Sequence, residues 1–320
     1  MTIQQLEYII AVDDFRHFGK AAVSCRITQP TLTMMVQKLE DELGVKIFNR
    51  NSRPIEPTEI GKVIINQARN SIFSFSRIRE MAFNEMNILG GDFRLGIIPT
   101  VATCIVPYLL KSVNESDPGF NIVMEETPTT YIIENLLYDR LDGGLAATPL
   151  DNPLFEEIPI YYEKFYAYVS PKYHLYREQE IDFKVVNPHD IWLLEHIHCM
   201  RGQVLSLCEE VKDNPLRHSV KYDSGNIYTL MNIVDCNGGL TVIPEMVAME
   251  LPEEQQEHLR RIKNDKKVRE ISLVVNKDFV RRKMADKIVE LVRRSVPKSL
   301  QNPDLKQFAI GVEYEMPQVS

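Results

Sequence analysis

The chain has 320 residues, of which 44% are hydrophobic and 26% charged, and its net charge is −8. That composition suits a globular chain of two or three domains, and no run approaches the ~18 apolar residues of a membrane span. Met1 to Glu7 hold no basic patch followed by an apolar stretch. No secretory leader is therefore expected, and the expected compartment is the cytoplasm, with no membrane partner.

The acidity is uneven. Residues 1–90 hold 11 Lys/Arg against 10 Asp/Glu, while the remainder holds 26 against 35. A near-neutral first part can still dock on phosphates through a local basic edge. The five cysteines are Cys25, Cys104, Cys199, Cys208 and Cys236. An odd count in a large chain expected in the cytoplasm argues against a structural disulfide framework.

The first ~90 residues read as almost all helix. Leu6, Ile9, Ile10 and Phe15 mark one helix, and Gly19 to Ser24 a short second. A third runs from Gln29 to Leu43, with Thr28 as N-cap, Pro30 in the first turn and Gly44 as the stop. Its expected buried stripe is Leu32, Met35, Val36, Leu39 and Leu43; Thr31, Thr33, Met34, Gln37 and Lys38 face outwards. After an irregular stretch, Thr58 opens a helical pattern to about Leu89, roughly 45 Å long, whose single apolar stripe asks for a partner helix.

Beyond Gly90-Gly91 strands and helices alternate. Strands are expected at Phe93–Ile98, Phe120–Glu125, Leu240–Ile243 and Ile271–Val275, and helices at Val101–Val113, Thr130–Arg140 and Val280–Val296. This is an α/β pattern with mainly parallel sheets, and its length allows two lobes. After Pro297 the tail has no periodicity, and little regular order is expected there.

A short helix, a turn and a helix exposing small polar side chains make a helix-turn-helix candidate, since such side chains can approach base edges in the major groove. Arg50 and Arg53, in the loop that follows, suit phosphates. Several segments carry a specific likeness: Phe18-Gly19-Lys20-Ala21-Ala22, Thr28-Gln29-Pro30-Thr31-Leu32, Leu39-Glu40-Asp41-Glu42-Leu43-Gly44, Phe48-Asn49-Arg50, Arg53 and Pro57-Thr58-Glu59-Ile60-Gly61. Over about sixty ungapped residues these resemble the LysR family of bacterial transcriptional regulators. The chain departs from the family in Thr28 and Thr33, where serine is more usual, in Pro57 for an aliphatic and in Ile60 for alanine.

The resemblance implies an N-terminal all-α winged helix-turn-helix (1–58) and a long linker and dimerisation helix (59–89). It further implies a C-terminal α/β two-lobed regulatory domain like a periplasmic binding protein. Lobe I would take 91–163 and 268–297, lobe II 164–267, and a tail 298–320. DNA contacts would fall on Thr28, Gln29, Pro30, Thr31, Thr33, Gln37, Lys38, Arg50 and Arg53. The implied partners are double-stranded DNA with an inverted-repeat operator, a second copy in a homodimer, a homotetramer and RNA polymerase. No cofactor and no metal are expected.

The segment from His196 to Cys208 leaves three readings open. His196, His198, Cys199 and Cys208 are possible metal ligands, but their spacing fits no common zinc module. The cysteines can simply pack. As a redox pair they make more physical sense. Cys199 would begin a helix whose apolar face is Val204, Leu207, Cys208 and Val211, beside His198 and Arg201. That setting favours the thiolate, the form that attacks peroxide. Nine residues of intact helix would hold the sulfurs ~13 Å apart. A disulfide needs Cα atoms within ~7 Å, so oxidation would have to remodel the helix.

His198-Cys199, Arg201 and Cys208 together are similar to the hydrogen-peroxide-sensing branch of the LysR family. The likeness extends to Ile98-Pro99-Thr100-Val101, Thr129, His218 and Gly238-Gly239-Leu240-Thr241-Val242-Ile243-Pro244. It implies a reversible Cys199–Cys208 disulfide that controls oxidative-stress genes, as an activator, with hydrogen peroxide as the signal. It implies a peroxide pocket of Thr100, Thr129, His198, Arg201 and His218. Cys25, Cys104 and Cys236 are read as packing residues. Two alternatives remain: a LysR regulator answering a small molecule between its lobes, and a thiol peroxidase, in which the DNA-binding part would be idle.

Overall fold

Local capping sets the first helices. In α1 (Ile3–Phe15) Thr2 Oγ1 accepts from Gln5 N at 3.3 Å, and Thr2 N donates to Gln5 Oε1 at 2.9 Å, a reciprocal box that satisfies two helix-end donors. His17 Nδ1 accepts from Gly19 N at 2.9 Å and starts α2 (Phe18–Ser24). Thr28 caps α3 (Gln29–Leu43), which ends at Gly44 with φ 69°, a left-handed conformation that glycine adopts without penalty.

This is a computed structural model, described over residues 1–50, 52–85, 91–114, 120–195, 197–207, 224–263 and 266–314. The chain divides into two compact units, Met1–Ile88 and Leu89–Pro317. Among the described residues no helix is long and apolar enough to cross a membrane.

In the first unit a two-stranded antiparallel wing, β1 (Phe48–Asn49) with β2 (Glu56–Pro57), follows α3 and leads into α4 (Glu59–Glu85). Ile9, Val12, Ala21, Leu32, Val36, Leu39, Phe48 and Ile65 form the shared core. The periodicity of α3 misled in one respect. Leu43 is 39% exposed, whereas Glu40 is 1% exposed. Glu40 tolerates burial because its carboxylate accepts from Ile47 N (2.9 Å), Phe48 N (3.3 Å), Lys46 Nζ (3.2 Å) and Arg50 Nη2 (3.2 Å). On α4, Ile65 and Ala68 face the core, while Ile60, Val63, Phe75 and Ile78 are exposed.

The second unit contains two sheets. The first collects β3 (Gly91–Ile97), β4 (Phe120–Glu126), β5 (Gly143–Thr148), β6 (Phe155–Glu163) and, much later, β11 (Arg269–Asn276), in the order β4-β3-β5-β11-β6. With it pack α5 (Pro99–Asn114), α6 (Thr129–Leu137) and α11 (Arg282–Ser295). The second has β7 (Phe165–Val169), β8 (Glu180–Ile181), β9 (Leu240–Pro244) and β10 (Leu259–Ile262) in the order β8-β10-β7-β9. Its helices are α7 (Cys199–Leu207), α8 (Ile227–Asn237), α9 (Glu245–Glu250) and α10 (Glu253–Gln256). The chain leaves the first sheet after Glu163 and re-enters at Arg269, and these two residues face each other in the β6/β11 ladder.

Both sheets are mixed, which corrects the expectation of mainly parallel pairing. β3 is parallel to β4 and β5, but β11 runs antiparallel to β5 and β6, and β7 is antiparallel to β9 and β10. The alternating pattern reports strand–helix–strand units. It misses β6, and it places Ile271–Val275 as a strand without showing that this strand returns antiparallel after a hundred-residue excursion.

The tail is also more ordered than expected. Lys298–Leu300 and Pro303–Phe308 form 3₁₀ turns, and Ala309 bridges Val268. Val312 N donates to Pro149 O at 3.0 Å, and Leu300 and Val312 are buried. Apolar burial holds this segment where periodicity has nothing to report.

Candidate functional site

Thr129 is the first residue of α6. α6 lies close on β5 because Gly144 carries no side chain; a Cβ there would come within 2.3 Å of Ile132 Cγ2. Thr129 is 1% exposed, and its Oγ1 has no hydrogen-bond partner among the described residues. A buried hydroxyl left unanswered in the resting protein is costly, unless a ligand is what it meets.

Cys199 is the first residue of α7, and it is buried. The turn before it is held by His198 N donating to Glu195 O at 3.0 Å and Arg201 N donating to His198 O at 2.9 Å. Arg201 is fixed by Nη1 donating to Leu194 O at 3.0 Å. His198 is buried too, and that burial holds its imidazole below the ordinary range, against a smaller opposing effect of Glu195. Near neutral pH the ring is therefore neutral. Arg201 is the cationic residue in the lining of the cavity it shares with Cys199.

Thr129, His198, Cys199 and Arg201 line one cavity of about 450 Å³. Two further walls come from the tail, Glu313 and Tyr314. Nothing in the sequence pattern pointed to them. Asn152 Nδ2 donates to the Tyr314 hydroxyl at 2.9 Å and anchors that wall.

Thr100 takes a different place. It lies in the first turn of α5 and does not line this cavity; its Oγ1 accepts from Arg269 Nη2 at 2.5 Å. Arg269 is wholly buried and pairs with Glu163 at 3.3 Å. Burial pushes the Glu163 carboxyl up to about 7, although Arg269 and the Met246 N–H oppose the rise. Sequence reasoning passed over this pair. Its one sign was the charged Arg269-Glu270 at the mouth of an apolar strand.

His196, Cys208 and His218 lie outside the described residues. Among the described residues no three His, Cys, Asp or Glu side chains converge as a metal site would require. Of the other thiols, Cys104 is buried and pushed up to about 12, chiefly by burial, which makes it inert. Cys25 is half-buried. Cys236 is exposed, near the end of α8, so the expectation that it packs is corrected.

In the first unit, Thr28, Gln29, Pro30, Thr31, Gln37 and Lys38 are exposed on α3 and its cap, with Thr33 half-buried among them. The Thr28 and Thr31 hydroxyls lie 2.8 Å apart. Arg50 is exposed but held, bonded to Glu40 and stacked over the Phe18 ring at 5.8 Å. Phe18 meets Phe48 edge-on, with centroids 6.0 Å apart, and so ties α2 to the wing. Arg53 is exposed on the wing loop. Neither Lys38 nor Arg53 forms an ion pair among the described residues. The face combines small polar side chains on a helix with arginines on a wing, the equipment for bases and phosphates respectively.

Known proteins share both units. Residues 3–62 match the bacterial regulatory helix-turn-helix protein, lysR family, and residues 88–297 match the LysR substrate binding domain. The hydrogen peroxide-inducible genes activator of Haemophilus influenzae is 32% identical over 249 residues, 78% of this chain and 82% of that protein. The DNA-binding transcriptional dual regulator OxyR of Escherichia coli is 28% identical over 256 residues, 80% of this chain and 82% of that one. A full-length OxyR variant from Pseudomonas aeruginosa superposes with a TM-score of 0.73 at 27% identity, covering 92% of this chain and 98% of that one.

Proposed function

Because the chain belongs to the LysR family of bacterial helix-turn-helix regulators, we propose that it is a cytoplasmic switch in which hydrogen peroxide, through Cys199 and Cys208, resets how a DNA-binding dimer sits on its operator. It is a DNA-binding transcriptional regulator and not an enzyme. The observation that carries the peroxide reading is the buried Cys199 at a helix N-terminus, sharing one cavity with Arg201, neutral His198 and the unanswered Thr129 hydroxyl.

In this reading the Cys199 thiolate attacks one peroxide oxygen. The S–O bond forms as the O–O bond breaks, the sulfur loses two electrons, and the other oxygen leaves as hydroxide, which takes up the proton the thiol released and becomes water. The Cys208 thiol then displaces a second water from the sulfenic acid and closes the disulfide. Thr129 donates to the peroxide. Thr100, which bonds to Arg269 and does not line this cavity, and His218 are assigned to the pocket by family likeness alone.

Two features of α7 support remodelling on oxidation. Gly202 stands in mid-helix, at a cost of about 1 kcal/mol relative to alanine. Gln203 is 1% exposed with neither amide atom partnered among the described residues. A nine-residue helix so burdened is easily given up.

The domain reading is that 1–58 binds DNA, 59–89 dimerises, 91–163 with 268–297 forms lobe I, 164–267 forms lobe II and 298–320 is the tail. The exposed Ile60, Val63, Phe75 and Ile78 of α4 support the dimer, which would read an inverted repeat, pair into a tetramer and meet RNA polymerase. The test is non-reducing peptide mapping after near-stoichiometric hydrogen peroxide. A fast, reversible Cys199–Cys208 crosslink with Cys25, Cys104 and Cys236 left free is expected. Slow oxidation, or oxidation spread over all five thiols, would sink the reading and leave a LysR regulator of another effector.

A further inference from the structure

The cavity around Cys199 is far larger than hydrogen peroxide requires. Peroxide is little bigger than water, whose share of liquid volume is about 30 Å³. The space beside Cys199 is about 450 Å³, within the range of small-ligand pockets. Its lining is divided. Cys199, His198, Arg201, Glu313 and the two threonines Thr129 and Thr130 supply polar groups, and Tyr131, Ile197, Leu205 and Tyr314 supply apolar surface. Gly202 keeps part of the wall open, since a Cβ there would meet nothing within 4 Å.

From this division we infer that organic hydroperoxides, carrying an alkyl or aryl group on the peroxide, are a second class of oxidant for Cys199. The inference rests on the peroxide-sensing reading above and extends it to another substrate class. The terminal peroxide oxygen meets the sulfur beside Thr129, and the organic group lies against Tyr131, Leu205 and the tail residue Tyr314. The balance is simple: thiol plus hydroperoxide gives sulfenic acid plus alcohol. The S–O bond forms, the O–O bond breaks, the sulfur is oxidised by two electrons, and the alkoxide leaves with the proton. Burial of the organic group compensates for its bulk, because apolar area removed from water is favourable wherever the wall is apolar.

The experiment measures second-order rates of Cys199 oxidation in the full chain, by trapping the sulfenic acid and identifying the peptide, with hydrogen peroxide and with cumene hydroperoxide. The aryl hydroperoxide is expected to react within about a hundredfold of hydrogen peroxide, the span a pocket contact can cover. Gly202→Leu fills the open wall and should slow cumene hydroperoxide at least about tenfold more than hydrogen peroxide. Tyr131→Ala, at a residue 50% exposed where folding is not at stake, removes the apolar wall on the opposite element and should penalise the aryl hydroperoxide selectively. A cumene hydroperoxide rate below that span, or both oxidants slowed alike in each variant, overturns the inference while hydrogen peroxide sensing stands. If hydrogen peroxide itself leaves Cys199 unreacted, the sensing reading falls first and this inference with it.

Discussion

Arg269 Nη2 donates a 2.5 Å hydrogen bond to Thr100 Oγ1 and so ties the first turn of α5 to the strand that re-enters the five-stranded sheet. Both residues are buried, which raises the stake: a guanidinium N–H deprived of its acceptor there has no water to turn to. Thr100→Val is nearly isosteric and removes only the acceptor. It should lower unfolding free energy by about 1–3 kcal/mol, read from urea melts of the reduced protein, and Thr100→Ser should restore it. A valine variant as stable as the native chain would show that the bond contributes nothing.

Thr129 makes the opposite case. Its hydroxyl is buried without a partner among the described residues, so the folded chain gains nothing from it at rest. Thr129→Val should leave the denaturation midpoint unchanged or slightly raised. It should also slow Cys199 oxidation by hydrogen peroxide about tenfold or more, because a donor aimed at the leaving oxygen is lost. The two substitutions then separate a threonine that stabilises from one that waits for a ligand. Equal peroxide rates in the Thr129→Val variant and the native chain would remove Thr129 from the pocket.

Glu163 gives a pH signature. Its folded carboxyl stands at about 7 against an ordinary 4.5, so between those values the folded chain holds a proton that the unfolded chain has released. Stability from this group is complete below about pH 4.5 and is lost as pH rises through 7. Glu163→Gln keeps the shape but does not titrate. At pH 5, where Glu163 is itself protonated and neutral, the variant should be about as stable as the native chain. Its thermal midpoint should also change less between pH 5 and pH 7.5 than that of the native chain. Parallel pH profiles would mean that Glu163 keeps its proton, or its charge, across the whole range.

What sequence reasoning reached, and what it did not, follows from how far apart the interacting groups lie. Thr28, Pro30 and Gly44 announce α3 because capping is settled within a few residues. Cys199 at the start of a helix is legible for the same reason. Glu40 is not, since what makes its burial tolerable arrives from Lys46, Ile47, Phe48 and Arg50, beyond the end of its own helix. The antiparallel pairing of β11 with β5 joins residues more than a hundred positions apart, for which no local period exists. Tyr314 reaches the Cys199 cavity only because Ala309 bridges Val268 and Val312 bonds to Pro149, contacts that leave no trace in hydropathy.

On the DNA-binding face, position and chemistry separate two roles that one binding constant would blur. Arg53 is exposed on the wing loop with no ion-pair partner among the described residues, and an arginine so placed meets phosphate. Arg53→Ala should weaken binding about equally on all sequences and reduce the slope of log affinity against log salt by about 1. Gln37 is exposed about one turn along α3 from Thr33, where a side-chain amide can pair with a base edge. Gln37→Ala should cost about 1–3 kcal/mol on the preferred site and little elsewhere, leaving the salt slope unchanged. Fluorescence anisotropy with a selected operator and a scrambled duplex, each titrated at several salt concentrations, separates the two. If Arg53→Ala alters sequence preference, or Gln37→Ala alters the salt slope, the roles assigned to wing and helix are exchanged.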